Sequence, residues 1–234
     1  MQGIKTHMIK YLSGKDTVSA YLAVPDGKGS FPALIIIHEW WGLNEWVEKN
    51  ADDFAKNGYV ALAIDLYRGK STESPEEARE LSGSVPVERA LTDLRSAYDY
   101  LGDLEEVSKN NIGSIGWCMG GGYSLKAAIN IPGLAACVIS YGRLVTDIQT
   151  LKRIKCPVLG IFGEKDRNIT PSSVKSFKES LTEAGIKNKI IIYPDAEHAF
   201  MNPMNSHLYN KTAAGKAWDE TYDFFNNNLK PNIN

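Results

Sequence analysis

The stretch IGSIGWCMGGG, residues 112–122, decides the fold, because an apolar strand ends here in Gly-x-Cys-x-Gly and runs into a helical segment. A nucleophile on a tight strand-to-helix turn leaves no room for side chains two positions before or after it, which accounts for Gly116 and Gly120. The helix predicted at residues 119–129 directs its N-terminal amides and its positive dipole end at Cys118. The stretch therefore predicts a nucleophile elbow that carries a thiol.

Two other interpretations of this stretch stay open at this point. A buried cysteine in a Gly-rich turn would need no chemistry, and Gly-rich turns between strand and helix also bind phosphate. The phosphate interpretation fits poorly, because the window contains no G-x-G-x-x-G register and no Gly-Lys-Ser/Thr follows it.

A nucleophile needs a base and an acid that orients the base, in the chain order nucleophile, acid, histidine. Asp166 follows a buried strand at residues 157–163, and His198 follows the next strand, at 190–193. Both would then lie at the same sheet edge as Cys118, where open α/β sheets build their sites. Glu164 and Asp195 compete for the role of the acid.

The chain contains three other histidines, and their positions fit the role of the base less well. His7 lies in an N-terminal strand, His38 ends an early strand and His207 opens a late helix. Only His198 follows a strand downstream of the acid.

Strands and helices alternate along the chain, which predicts an α/β fold with a mostly parallel sheet covered on both faces. An alternating segment at 18–24 predicts an antiparallel N-terminal edge strand. The further predicted strands are 33–37, 59–64, 112–117, 134–140, 158–162 and 190–193, and the predicted helices are 45–56, 87–101, 119–129, 172–184 and 208–228. The polar segment 68–85 is predicted to be a lid or substrate loop, and residues 230–234 a frayed tail.

Length and charge limit the class of protein. The 234 residues suit one α/β domain over 1–234, and a net charge of -2 without charged blocks argues against binding to nucleic acid or membrane surfaces. No signal peptide or membrane span is predicted. Three cysteines indicate a reducing cytoplasm, with Cys118 free and with Cys137 and Cys156 inert.

Together these motifs resemble the dienelactone hydrolases, a family of α/β-hydrolases with a Cys-Asp-His triad, over nearly the whole chain. The pieces that carry the resemblance are HEWWGLN at 38–44, DLY at 65–67, GWCMGG at 116–121, YG at 141–142, GEKD at 163–166 and HAF at 198–200. The resemblance implies Cys118 as the nucleophile, His198 as base and acid, and Asp166 as the orienting group. It also implies that Glu39 holds the resting thiol until substrate displaces it.

The remaining parts of the site follow from acyl-transfer chemistry. The developing oxyanion needs backbone donors, and the amides of Met119, after the nucleophile, and Trp40, on the loop after the first central strand, are expected to supply them. Tyr141, at the same sheet edge, is expected to line the pocket.

The chain departs from the family where the substrate carboxylate is bound. The resemblance implies an arginine four residues after the catalytic histidine, where this chain has Asn202, and Arg79 is the candidate for a second one. We therefore expect a cysteine-dependent hydrolase of small lactones or esters, without cofactor or metal, as a monomer or small homo-oligomer. The alternatives are a general carboxylesterase or thioesterase, a non-catalytic binding protein and a redox-responsive cysteine protein.

Overall fold

The computed structural model describes residues 3–230 and contains an eight-stranded sheet in the order β1-β2-β4-β3-β5-β6-β7-β8. The strands are β1 Ile4–Ser13, β2 Asp16–Pro25, β3 Phe31–Ile37, β4 Val60–Ile64, β5 Val107–Trp117, β6 Ala136–Ser140, β7 Val158–Gly163 and β8 Asn188–Tyr193. The helices are α1 Glu45–Lys56, α2 Pro75–Gly83, α3 Val87–Asp103, α4 Met119–Asn130, α5 Ile148–Leu151, α6 Pro171–Glu183 and α7 Lys211–Leu229.

The sheet is parallel from β4 through β8 and antiparallel at its N-terminal end, which confirms the predicted α/β class. The strand predicted at 18–24 is β2, and it pairs antiparallel with both β1 and β4. The edge strand of the sheet is β1, so the strand predicted to lie at the edge is the second strand of the sheet.

Both faces of the sheet are covered, because alternate side chains of the central strands point to opposite sides. Ile35 and Ile37 of β3 pack into the cluster that contains residues of α3, α4 and α6. Leu34 and Ile36 pack into the cluster that contains residues of α1 and α7. All four isoleucine and leucine side chains are fully buried, which explains the continuous apolar run of this strand.

The segment 68–85 differs most from its prediction, because it contains helix α2. The Ser74 side chain accepts a hydrogen bond from Glu77 N, and Pro75 occupies the first turn. Ser-Pro-Glu-Glu is an N-terminal capping signal that predicts this helix. At the start of the segment, Arg68 donates two hydrogen bonds to buried Asp93, of 2.8 and 2.9 Å, and so fixes the loop after β4.

The other differences are small. The last helix begins at Lys211 rather than at 208, since the Asn210 side chain accepts from Ala213 N and caps it, so His207 lies in the preceding turn. β6 begins at Ala136 instead of 134, and the short helix α5 was not predicted. Residues 231–234 of the predicted tail lie outside the described residues.

Candidate active site

Cys118 lies on the turn between β5 and α4, in a backbone conformation that side chains rarely adopt. Its φ is 53° and its ψ is -116°, and its amide donates a 3.0 Å hydrogen bond to Ser140 O. A Cβ on Gly116 would overlap the backbone of Gly120, and a Cβ on Gly120 would overlap Ile37 O. The two glycines therefore allow the close approach of strand and helix that holds the turn in this geometry.

The side chains of Cys118, His198 and Asp166 meet at the carboxyl ends of β5, β8 and β7. Cys118 Sγ lies 3.1 Å from His198 Nε2, and His198 Nδ1 lies 2.7 Å from Asp166 Oδ2. Asp166 Oδ1 accepts hydrogen bonds of 2.8 and 2.9 Å from the amides of Asn168 and Ile169. The expected contact between His198 and Asp166 is thus present, and the two loop amides fix the carboxylate.

These contacts set the charges of the pair. Burial by itself would lower the pKa of His198, but the hydrogen bonds to Asp166 and Cys118 outweigh it and raise the pKa. Burial would likewise raise the pKa of Asp166, yet the hydrogen bond from His198 and the loop amides bring it below its ordinary value. The geometry therefore stabilises the imidazolium that forms when His198 takes up the thiol proton, beside an ionised Asp166.

The competing carboxylates lie elsewhere. Glu164 accepts a hydrogen bond from Asp195 N at 3.2 Å, and Asp195 forms an exposed ion pair of 2.8 Å with Lys165. Of the other histidines, His7 and His207 are exposed. His38 is buried, and its Nδ1 donates to Glu39 O while its Nε2 accepts from Leu66 N. His38 thereby joins the loops after β3 and β4.

Tyr67 contacts both residues whose amides are expected to bind an oxyanion. Within residues 3–230, neither Trp40 N nor Met119 N donates a hydrogen bond to the protein. Tyr67 Oη donates to Trp40 O at 3.0 Å and lies 3.3 Å from Met119 Sδ. Its ring packs against His38 at 4.8 Å between centroids. The Tyr67 side chain thus contacts both residues whose amides would donate hydrogen bonds to the oxyanion. The sequence alone did not indicate this role for Tyr67.

Glu39 is buried beside this group, with 2% of its surface exposed. Its Oε2 accepts a 2.6 Å hydrogen bond from Asn202 Nδ2, and within the described chain Oε1 has no partner in hydrogen-bonding geometry. Burial raises the pKa of Glu39 to about 7, although the bond from Asn202 and the charge of His198 act in the opposite direction. Near neutral pH the carboxyl group is therefore partly protonated.

Tyr141 lies between Glu39 and His198 rather than on a pocket wall. Its ring contacts the His198 imidazole edgewise at 5.3 Å between centroids, and its side chain is fully buried. Burial, reinforced by the negative charge of Glu39, raises the pKa of the phenol well above its ordinary value. Tyr141 is thus a neutral group at this site.

A cavity of about 500 Å³ opens beside the site. Its walls are formed by Trp40, Trp41, Asn44, Thr72, Glu73, Pro75, Asn202, Met204 and Asn205. Three of these residues come from the segment 68–85, which therefore contributes to the wall. Of the substrate-binding candidates, Asn202 lines the cavity, whereas Arg79 lies exposed on α2 and Tyr141 is buried below.

The other cysteines are far less accessible than Cys118, which is partly exposed. Cys137 is fully buried, and burial raises its pKa to about 11. Cys156 is also buried, and burial raises its pKa. No disulfide and no metal-binding cluster of His, Cys, Asp or Glu occurs over residues 3–230, and no helix there has the length and apolarity of a membrane span.

Comparison with known proteins identifies relatives of the chain over nearly its whole length. The Salmonella typhimurium protein named "Putative carboxymethylenebutenolidase" is 30% identical, over 90% of this chain and 83% of its own. The "Probable 2-oxo-3-(5-oxofuran-2-ylidene)propanoate lactonase" of Bradyrhizobium sp. is 30% identical over 86% of each chain.

Structure comparison and the family model agree with these relatives. The crystal structure of the "Putative Dienelactone Hydrolase" from Klebsiella pneumoniae superimposes with a TM-score of 0.88 at 26% identity, covering 95% of this chain and 98% of that one. The family model of the dienelactone hydrolases matches residues 18–229. The chain therefore belongs to the dienelactone hydrolase family, whose members are hydrolases that act on ester bonds.

Proposed function

We propose that the protein is a cysteine-dependent hydrolase of small lactones or esters. The observation that carries this proposal is the contact series from Cys118 Sγ to His198 Nε2, 3.1 Å, and from His198 Nδ1 to Asp166 Oδ2, 2.7 Å, on a strained elbow. The names of the Salmonella and Bradyrhizobium relatives, quoted above, refer to a butenolide and to a lactone, which favours lactones among the esters.

In the first half of the proposed reaction, the thiol proton passes to His198 Nε2 and the sulfur attacks the substrate carbonyl carbon. The carbonyl oxygen takes up the electron pair, and the amides of Trp40 and Met119 stabilise it, each at about 3 kcal/mol. The carbon–oxygen bond of the ester then breaks, and the leaving oxygen takes the proton from His198. For a lactone, the released hydroxyl stays in the same molecule. Asp166 keeps the imidazole in the orientation that serves both transfers.

In the second half, water replaces the alcohol. His198 Nε2 accepts a proton from the water as its oxygen attacks the thioester carbon, and the collapse of the second tetrahedral intermediate releases the carboxylic acid. The proton returns to the sulfur. The same two amides bind the oxyanion in both halves.

Glu39 is proposed to control the thiol at rest. Its buried carboxyl group, when ionised, disfavours a thiolate nearby, and substrate would move the side chain aside. The hydrogen bond from Asn202 and the neighbouring phenol of Tyr141 support this position.

Turnover of p-nitrophenyl acetate, with and without iodoacetamide, tests the proposal. We expect Cys118→Ala and His198→Ala each to remove nearly all hydrolysis, because the members of such a unit act together, and Asp166→Asn to keep a larger remainder. Cys156→Ala is the matched control, since that thiol is buried and should change neither turnover nor sensitivity to iodoacetamide. Wild-type turnover in Cys118→Ala would contradict the nucleophile assignment.

The same assay addresses the alternatives. A binding protein would show no turnover, and a redox-responsive protein would need a second thiol near Cys118, whereas Cys137 and Cys156 are both buried. A panel of dienelactones, simple lactones, thioesters and aryl esters would distinguish a lactonase from a general carboxylesterase or thioesterase.

A further inference from the structure

The cavity lined by Trp40 and Asn202 has an aromatic side and a polar side. Trp40 and Trp41 stand edge to face, with 5.0 Å between their ring centroids, and both are partly exposed toward the cavity they line. Asn44, Thr72 and Asn205 supply uncharged polar groups on the remaining wall. Such a wall suits a flat apolar group that carries neutral oxygen atoms.

The only charge on the wall within residues 3–230 is negative. Glu73 is the one charged side chain that lines the cavity, and it is exposed. The buried carboxyl group of Glu39 lies behind the wall, and its Oε2 accepts a hydrogen bond from Asn202, which lines the cavity. His198 is the only cation among the groups that lower the pKa of Glu39, so no lysine or arginine compensates this carboxyl group.

A carboxylate that leaves water for such a cavity loses its hydration without gaining a cation. Charge-assisted hydrogen bonds, which normally compensate this loss, need an arginine, a lysine or a set of free amides. An uncharged ester loses little hydration and gains contact with the two indoles.

We infer that this cavity selects uncharged esters or lactones with a flat apolar group and rejects substrates that carry a carboxylate. The inference rests on the proposed function, because it concerns the substrates of the Cys118 site. It gives Glu73, Trp40 and Trp41 a part in specificity.

Two esters of the same shape test this inference: methyl 4-acetoxybenzoate, which is neutral, and 4-acetoxybenzoate, which carries a carboxylate. Release of the phenol gives kcat/KM for each at low ionic strength and a pH of about 8. We expect the neutral ester to be preferred by at least about ten-fold, since the carboxylate has no partner on the wall. Salt at about 0.5 M should narrow this ratio, because screening weakens repulsion but leaves the intrinsic reactivity of the esters unchanged.

Charge reversal on the wall sharpens the test. Glu73→Lys should lower the ratio of kcat/KM for the neutral ester to kcat/KM for the carboxylate ester by at least about three-fold, because it replaces a repulsive charge by an attractive one. Glu80→Lys is the matched control, since Glu80 is exposed on α2 and is not part of the wall, and it should leave the ratio unchanged.

Other outcomes overturn the inference in distinguishable ways. Equal kcat/KM for the two esters in the wild type would contradict the charge selection. Preference for the carboxylate, lost in Arg143→Ala, would assign its binding to Arg143, an exposed residue beside Gly122 of α4 that does not line the cavity. Absence of hydrolysis for both esters would contradict the proposed function itself.

Discussion

The buried carboxyl group of Glu39 should make the stability of the protein fall as the pH rises through neutrality. Burial raises its pKa in the folded protein from 4.5 to about 7. The folded state therefore binds the proton more tightly than the unfolded state does. The stabilising contribution is complete below about pH 4.5 and is lost as the pH rises through about 7. A shift of this size corresponds to up to about 3 kcal/mol of unfolding free energy.

Glu39→Gln removes the charge and preserves the shape. The glutamine oxygen still accepts from Asn202 Nδ2, and its amide group would lie toward Tyr141 Oη, which has no partner in hydrogen-bonding geometry within residues 3–230. We expect the variant to be more stable than the wild type by up to about 3 kcal/mol at pH 8 and equally stable near pH 4.5. If the substitution loosens the hydrogen bond with Asn202, the gain in unfolding free energy at pH 8 will be smaller.

Urea unfolding followed by tryptophan fluorescence, at several pH values from about 4.5 to 8, measures this difference. Glu80→Gln serves as the control, because Glu80 is exposed and its removal should leave the pH dependence unchanged. Parallel stability curves for wild type and Glu39→Gln over the whole range would refute the reasoning, since they would mean that Glu39 has the same pKa in both states.

Three further predictions concern the elbow and its neighbours. Tyr67→Phe removes the hydroxyl that contacts Trp40 and Met119, and should lower kcat about ten-fold in ester hydrolysis with little change in KM; an unchanged kcat would show that these amides need no such support. Glu39→Gln should speed iodoacetamide labelling of Cys118 near neutral pH, as followed by mass spectrometry, and identical rates would leave Glu39 a structural role only. Gly120→Ala should prevent correct folding, because its Cβ would overlap Ile37 O. Gly215→Ala is the control: it lies in α7 with open space around it and should raise the unfolding free energy by about 0.5–1 kcal/mol in urea titrations. A stable, active Gly120→Ala variant would contradict the steric argument.

The sequence contains enough to predict the central sheet, because that part of the chain follows simple rules. The runs at 33–37 and 158–162 are apolar throughout because both faces of those strands are buried. Glycines at 116 and 120 indicate the elbow because no other residue fits there. Chain order and positions after strands point to residues 166 and 198, because the topology of the sheet brings the ends of these strands to one edge.

What could not be predicted depends on contacts between loops distant in sequence. Asn202 was identified as a position where an arginine was expected, but its hydrogen bond to Glu39, 163 positions away, becomes visible only in three dimensions. Tyr67 belongs to a recognised motif, yet nothing in that motif shows that its hydroxyl contacts Trp40 and Met119. Helix α2 was missed although its capping signal was present, because polar, Pro-containing segments are usually loops.

The reacting groups come from turns that are far apart along the chain, and this has a consequence for how the protein matures. Cys118 and His198 are separated by 80 positions and meet only after β8 has joined the sheet beside β7. Pairings of such long range form late, since closing a large loop costs entropy before any contact compensates it. During refolding, the circular-dichroism signal of the helices should therefore return before the ability to hydrolyse esters. A chain that ends before its last third would contain Cys118 but neither His198 nor Asp166.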